Sequence, residues 1–100
     1  MYYEIFTLPT FDKIYEGLDH SEQFWIQKIK QQLEQFPTGK ILQFSWIREK
    51  RYGSKRLYYI IDELRKRMLL INFVPKKDQQ KIINYMVSNQ TTLFLFLRKL

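Results

Sequence analysis

Glu49-Lys50-Arg51-Tyr52-Gly53-Ser54-Lys55-Arg56-Leu57-Tyr58-Tyr59-Ile60-Ile61-Asp62 joins two β-forming runs through a short polar turn. Tyr52-Gly53-Ser54 carries turn chemistry, since glycine reaches positive φ without a steric penalty. Both flanks are β-forming: Ile41, Leu42, Phe44, Trp46 and Ile47 upstream, and Arg56 to Asp62 downstream. A β-hairpin follows. Alternation along its second strand sets Arg56, Tyr58 and Ile60 on one face and Leu57, Tyr59 and Ile61 on the other, which is expected to be the core face. Arg56 then points to where a ligand would lie.

Downstream, Asp62 to Arg67 is a charged turn, and Met68 to Val74 is an apolar run of strand length that Pro75 ends. Lys77 to Asn89 reads as a helix, with Ile82, Ile83, Met86 and Val87 on one side and Asp78 supporting its positive N-terminal end. Upstream, Tyr2 to Thr7 alternate as a first strand, closed by Pro9. Phe11, Ile14, Tyr15 and Leu18 fall on one helical face, and Asp19 with Glu22 has capping-box spacing for a second, longer helix. That helix carries a Trp25, Ile29, Leu33 and Phe36 stripe and stops at Pro37-Thr38-Gly39. The order β-α-α-β-β-β-α predicts one α+β domain over residues 1–100. Its mainly antiparallel four-stranded sheet packs against a helical hairpin and a C-terminal helix, because the later connections are too short for crossovers.

Seventeen Lys+Arg against ten Asp+Glu give a net charge of +7, which favours nucleic acid, an anionic membrane or an acidic protein as partner. The absence of cysteine excludes disulfide staples and thiolate metal sites, so hydrophobic burial holds the chain together. No apolar stretch approaches a membrane span and the N-terminus lacks a signal-peptide pattern, which makes the cytosol the expected compartment and a membrane partner unexpected. Lys50 and Arg51 close one strand-like run, and Lys76 and Lys77 follow another. Cations at the ends of a small sheet suit RNA phosphates.

Phe11-Asp12-Lys13 at the first helix, Glu49-Lys50-Arg51, Lys55-Arg56-Leu57-Tyr58-Tyr59, and Phe73 followed by Lys76-Lys77-Asp78-Gln79-Gln80 resemble the RelE/ParE toxin superfamily. The resemblance runs roughly over residues 1–89, and the second half is its more specific part. It is strongest to RelE- and HigB-type toxins of type II toxin-antitoxin systems, which cut messenger RNA, usually on the ribosome. It implies a cognate antitoxin, mRNA and the ribosome as partners.

Such cleavage needs no metal or other cofactor. A 2′-hydroxyl attacks the adjacent phosphate while the protein aligns the backbone, takes a proton, neutralises charge and protonates the leaving oxygen. Arg56 is the leading catalytic candidate, because a guanidinium grips phosphate bidentately. Arg51, Lys77 and Tyr58 join it as catalytic candidates, and Lys50, Lys76 and Tyr85 as RNA-binding ones. Each has a plainer reading. Arg56 has a structural ion pair with Asp62 or Glu63 open to it, Lys50, Arg51 and Lys55 have a role in shielding a sheet edge, Lys76 and Lys77 have one in ending a strand, and both tyrosines have a place in the core. For Lys55 the plainer reading is favoured. The lone His20 falls in a turn and is set aside.

Two departures from the resemblance bear on catalysis. Gln79 stands where RelE-type enzymes commonly carry a further arginine, and no histidine lies near the site. Glu49 is read as a structural part of its strand, which leaves the general base unassigned. The apolar tail over residues 90–100 must be covered. Packing on this domain's own sheet or second helix is favoured, with a homodimer contact or an antitoxin-filled groove as alternatives. Three functions stay open: a ribosome-dependent endoribonuclease toxin, a ParE-like DNA gyrase inhibitor, and a non-catalytic toxin-like nucleic-acid-binding protein.

Overall fold

The structure, a computed structural model, describes residues 2–100. Its elements run β1 (Glu4–Thr7), α1 (Pro9–Glu16), α2 (His20–Gln35), β2 (Lys40–Leu42), β3 (Phe44–Tyr52), β4 (Lys55–Asp62), β5 (Arg67–Pro75), a 3₁₀ turn (Lys76–Asp78), α3 (Gln79–Ser88) and α4 (Gln90–Lys99). The α+β class and the order of elements agree with the sequence reading. The sheet has five strands instead of four, ordered β1-β5-β4-β3-β2.

The extra strand arises at Gln43, whose φ of 59° breaks the run from Ile41 to Ile47 and turns β2 back along β3. β1 lies parallel to β5, with Ile5 opposite Met68, and every other pairing is antiparallel. A parallel pair needs a long crossover, which α1, α2 and the β2–β4 meander supply. Asp19 caps α2 as expected: its carboxylate accepts from the Glu22 N–H at 2.8 Å, and the Glu22 carboxylate accepts from the Asp19 N–H at 3.2 Å.

Both faces of the sheet are covered. On one, α1 and α2 press Phe11, Ile26 and Leu33 onto Leu57, Tyr59, Ile61, Met68 and Leu70. On the other, Ile82, Ile83 and Met86 of α3 and Leu93 and Leu97 of α4 cover Ile47, Tyr58, Ile60, Leu69 and Ile71. The second face was expected to lie open around Arg56, Tyr58 and Ile60. Instead only its Arg56 end is free, because α3 and α4 close over Tyr58 and Ile60.

Two helical stripes also differ in detail. Phe36 leaves the α2 stripe because it is the extended C-cap residue, and it is 62% exposed. Val87 turns away from the α3 core side and is exposed.

The apolar tail forms α4. It docks on the sheet, on the face opposite α2, and Arg67 of β5 donates to the carbonyls of Leu97 and Arg98, closing the helix C-terminus where a cation is favoured.

Candidate nucleic-acid site

Strand alternation builds the site. Glu49 and Arg51 of β3 share a face, and cross-strand pairing sets Glu49 beside Tyr58 and Arg51 beside Arg56 on β4. Beyond the hairpin, Pro75 ends β5 and the 3₁₀ turn brings Lys76 to the same place. Gly39, at φ 124°, begins the far wall, where a side chain would collide with the Tyr59 hydroxyl that donates to the Thr38 carbonyl. The result is a cleft of about 490 Å³ lined by Gly39, Lys40, Glu49, Lys50, Arg51, Arg56 and Lys76. Five cations surround one carboxylate.

Arg56 is held, not free. Its side chain is 12% exposed, its Nε stands 3.8 Å from the Glu49 Oε2, and its Nη1 donates to the carbonyls of Lys55 at 3.3 Å and Gly53 at 3.5 Å. The expected ion pair with Asp62 or Glu63 does not form, since six strand residues separate Arg56 from Asp62 by about 20 Å. Asp62 pairs with Arg65 and Glu63 with Arg48. Glu49 Oε2 is buried and has no hydrogen-bond partner among the described residues. Arg51 and Arg56 are directly opposed, an arrangement that repels unless an anion lies between them.

The remaining candidates divide. Lys50 and Lys76 line the cleft. Lys77 is exposed on the 3₁₀ turn and does not line it, because the adjacent residue points elsewhere in so tight a turn. Tyr58 lies beneath the cleft with no exposed surface, its hydroxyl donating to Gln79 Oε1 at 3.4 Å. Burial, with Glu49 and Asp78 adding to it against Arg56, pushes this phenol up to about 12. It keeps its proton at neutral pH, and α3 bars it from direct contact with a polymer. Tyr85 stands apart, in a groove between α1 and α3 lined by Leu8, Thr10, Ile14, Ile71, Asn72, Lys81 and Ile82. Lys55 is structural, bound to Glu22 at 2.6 Å and set over the Phe73 ring. His20 is exposed and lines none of the cleft.

Glu49, Lys40 and Gly39 are the cleft residues that sequence reasoning missed. Glu49 was legible: counting by twos from Arg51 puts it on the face of Arg56. Lys40 and Gly39 were not, because β2 was not distinguished as a strand. A larger hollow of about 680 Å³ on the outer side of α2 is lined by amides and aromatics, with Lys28 and His20 the basic side chains among them, so it is no comparable anion site.

No protein-family model matches this sequence, and no curated protein matches it. Its fold does match solved structures. Escherichia coli toxin RelE, in an arginine double mutant in the free state, has a TM-score of 0.70 at 14% identity, covering 80% of this chain and 90% of that one. The toxin-antitoxin complex RelBE2 from Mycobacterium tuberculosis has a chain at TM-score 0.62 and 15% identity, covering 76% of this chain and 100% of that one. The archaeal RelE-RelB complex from Pyrococcus horikoshii OT3 has one at 0.66 and 16%, covering 76% and 97%. This chain has the fold of the RelE toxins.

Proposed function

We propose that this protein is the toxin of a toxin-antitoxin pair and that it cuts messenger RNA on the ribosome by metal-independent attack of a 2′-hydroxyl on the neighbouring phosphate. The observation that carries the reading is the Glu49–Arg56 pair. A carboxylate oxygen buried without a hydrogen bond, 3.8 Å from a half-buried guanidinium, stands in a cationic cleft on the RelE fold. Buried polar atoms are nearly always satisfied, and a catalytic role is one of the recognised reasons for an orphan acceptor.

In this mechanism Lys40, Lys50 and Lys76 hold the RNA backbone, and Arg51 and Arg56 take the scissile phosphate between them. Glu49 accepts the 2′-hydroxyl proton. The oxygen so freed bonds to phosphorus, the bond to the 5′ oxygen breaks, and charge on the phosphoryl oxygens is met by Arg56, which needs no reorganisation because its position is already fixed. In-line displacement calls for an acid opposite the base, and Lys76, on a different element, is our candidate. The products are a 2′,3′-cyclic phosphate and a 5′-hydroxyl.

The cation excess of the chain suits an acidic antitoxin as well as RNA, and two of the three structures cited above are complexes, RelBE2 from M. tuberculosis and RelE-RelB from P. horikoshii. The cytoplasm, where ribosomes are, is the expected compartment.

Mapping 5′ ends in a purified translation system tests this, with and without ribosomes. Arg56→Ala is expected to lower kcat/KM by about 10²–10³ and Glu49→Gln by about 10²–10⁴, with both variants still binding RNA. Cuts that persist in both variants would remove the assignment. An uncut message with well-folded protein would shift the reading to gyrase inhibition or simple binding.

A further inference from the structure

Glu49 and Tyr58 are direct cross-strand partners, so their Cβ atoms stand about 5 Å apart on one face. One is a carboxylate with a buried, unpartnered oxygen, and the other a fully buried phenol with a single proton to donate. The bond that this juxtaposition invites is not the one that forms. Tyr58 donates instead to Oε1 of Gln79, the first residue of α3.

The choice of acceptor has a chemical consequence. A hydrogen bond to a carboxylate stabilises its charged form and makes it a weaker base. We infer that Gln79 is a positioning residue that holds the Tyr58 proton away from Glu49 and so keeps the Glu49 carboxylate a stronger base toward the RNA 2′-hydroxyl. This rests on the cleavage reading, since that reading gives the unbonded carboxylate its purpose. It also changes the meaning of Gln79. The residue is not a vacancy left by an arginine but an acceptor matched to a tyrosine that this chain places beneath its cleft.

The arrangement is poised. At 3.4 Å the Tyr58–Gln79 bond is long for an O–H donor, and a hydroxyl hydrogen rotates to suit its acceptor. The other charged groups around Glu49 and Tyr58 come from every neighbouring element: Lys40 of β2, Lys50 and Arg51 of β3, Arg56 of β4, Lys76 of the 3₁₀ turn, and Asp78 of that turn facing Tyr58. None is altered by substitutions at Gln79 or Tyr58, so a change at Glu49 reports on the phenol.

The test follows the Glu49 side-chain carboxyl by carbon-detected NMR as pH is varied, in the wild type, Gln79→Met, Tyr58→Phe and the double variant. Gln79→Met keeps the length and helix preference of the side chain while removing the acceptor. It is expected to move the Glu49 titration midpoint down by about half a pH unit or more, as the released phenol turns to the carboxylate. Adding Tyr58→Phe should return the midpoint, and the acid limb of the kcat/KM profile should follow both changes. An unmoved midpoint in Gln79→Met would overturn the inference, and so would a shift that survives in the double variant. The carboxyl signal is read without RNA, so failure here is separable from failure of the cleavage reading, which the Arg56→Ala assay addresses.

Discussion

Arg51 and Arg56 face each other across β3 and β4, and the free protein carries their repulsion until an anion lies between them. Arg51 is the exposed member and touches only the Gly53 carbonyl, so it can be replaced without opening the core. Arg51→Met is expected to stabilise the unliganded fold by about 0.2–1 kcal/mol while weakening RNA binding. Thermal melts alongside a binding titration check both halves, and a variant that loses stability would show that the pair is not strained. Gln43 poses the residue-scale question in its backbone form. A side chain at φ 59° pays for the left-handed conformation that glycine adopts freely. Gln43→Gly should raise stability by about 0.5–1 kcal/mol, net of the entropy that glycine costs, as read from the denaturant midpoint.

At the scale of the element, β4 decides most. It is the central strand, its residues from Leu57 to Asp62 are all buried, and its alternation feeds both cores. Tyr58 and Tyr59 go to opposite faces, and burial raises both phenols, Tyr58 to about 12 and Tyr59 further. In the unfolded chain both ionise near pH 10. Above that pH the unfolded state has lost protons that the folded state retains, so stability is full below about pH 10 and falls as pH rises through the folded values. The melting temperature should therefore drop steeply above pH 10, in step with tyrosinate absorbance, and Tyr58→Phe should reduce the slope. A melting temperature flat to pH 12 would contradict the burial. α4 is held by Leu93 and Leu97 in the core, by Phe94 and Phe96 packed beside them, and by Arg67 at its end. Arg67→Met is expected to speed amide exchange in α4 while leaving β4 unchanged.

The whole molecule separates its tasks by pole and face. Helices cover both sides of the sheet, which leaves the hairpin end, with Lys76 beside it, as the place where cations collect around Glu49. Binding there should be strongly salt dependent. For single-stranded RNA, removing one phosphate contact lowers the slope of log affinity against log salt by about 0.7, so Lys76→Ala and Arg51→Met should each do so and Lys77→Ala should not. An equal change for Lys77 would mean that the RNA extends along α3, beyond the cleft.

The sequence by itself determined the elements whose causes are local. The hairpin at Gly53 follows from turn chemistry, the start of α2 from Asp19 and Glu22, and the cationic character of the hairpin end from composition along two strands. Glu49 was within reach by the same alternation that singled out Arg56. The tertiary structure alone decided what depends on contacts distant in the chain. The parallel pairing of β1 with β5 brings together residues 63 apart. The burial of Tyr58 depends on α3 closing over a face that alternation leaves looking open. Gln79 could find its tyrosine only once Pro75 had ended β5 and the 3₁₀ turn had folded α3 back on the sheet. Periodicity states which way a side chain points, and only packing states what it meets there.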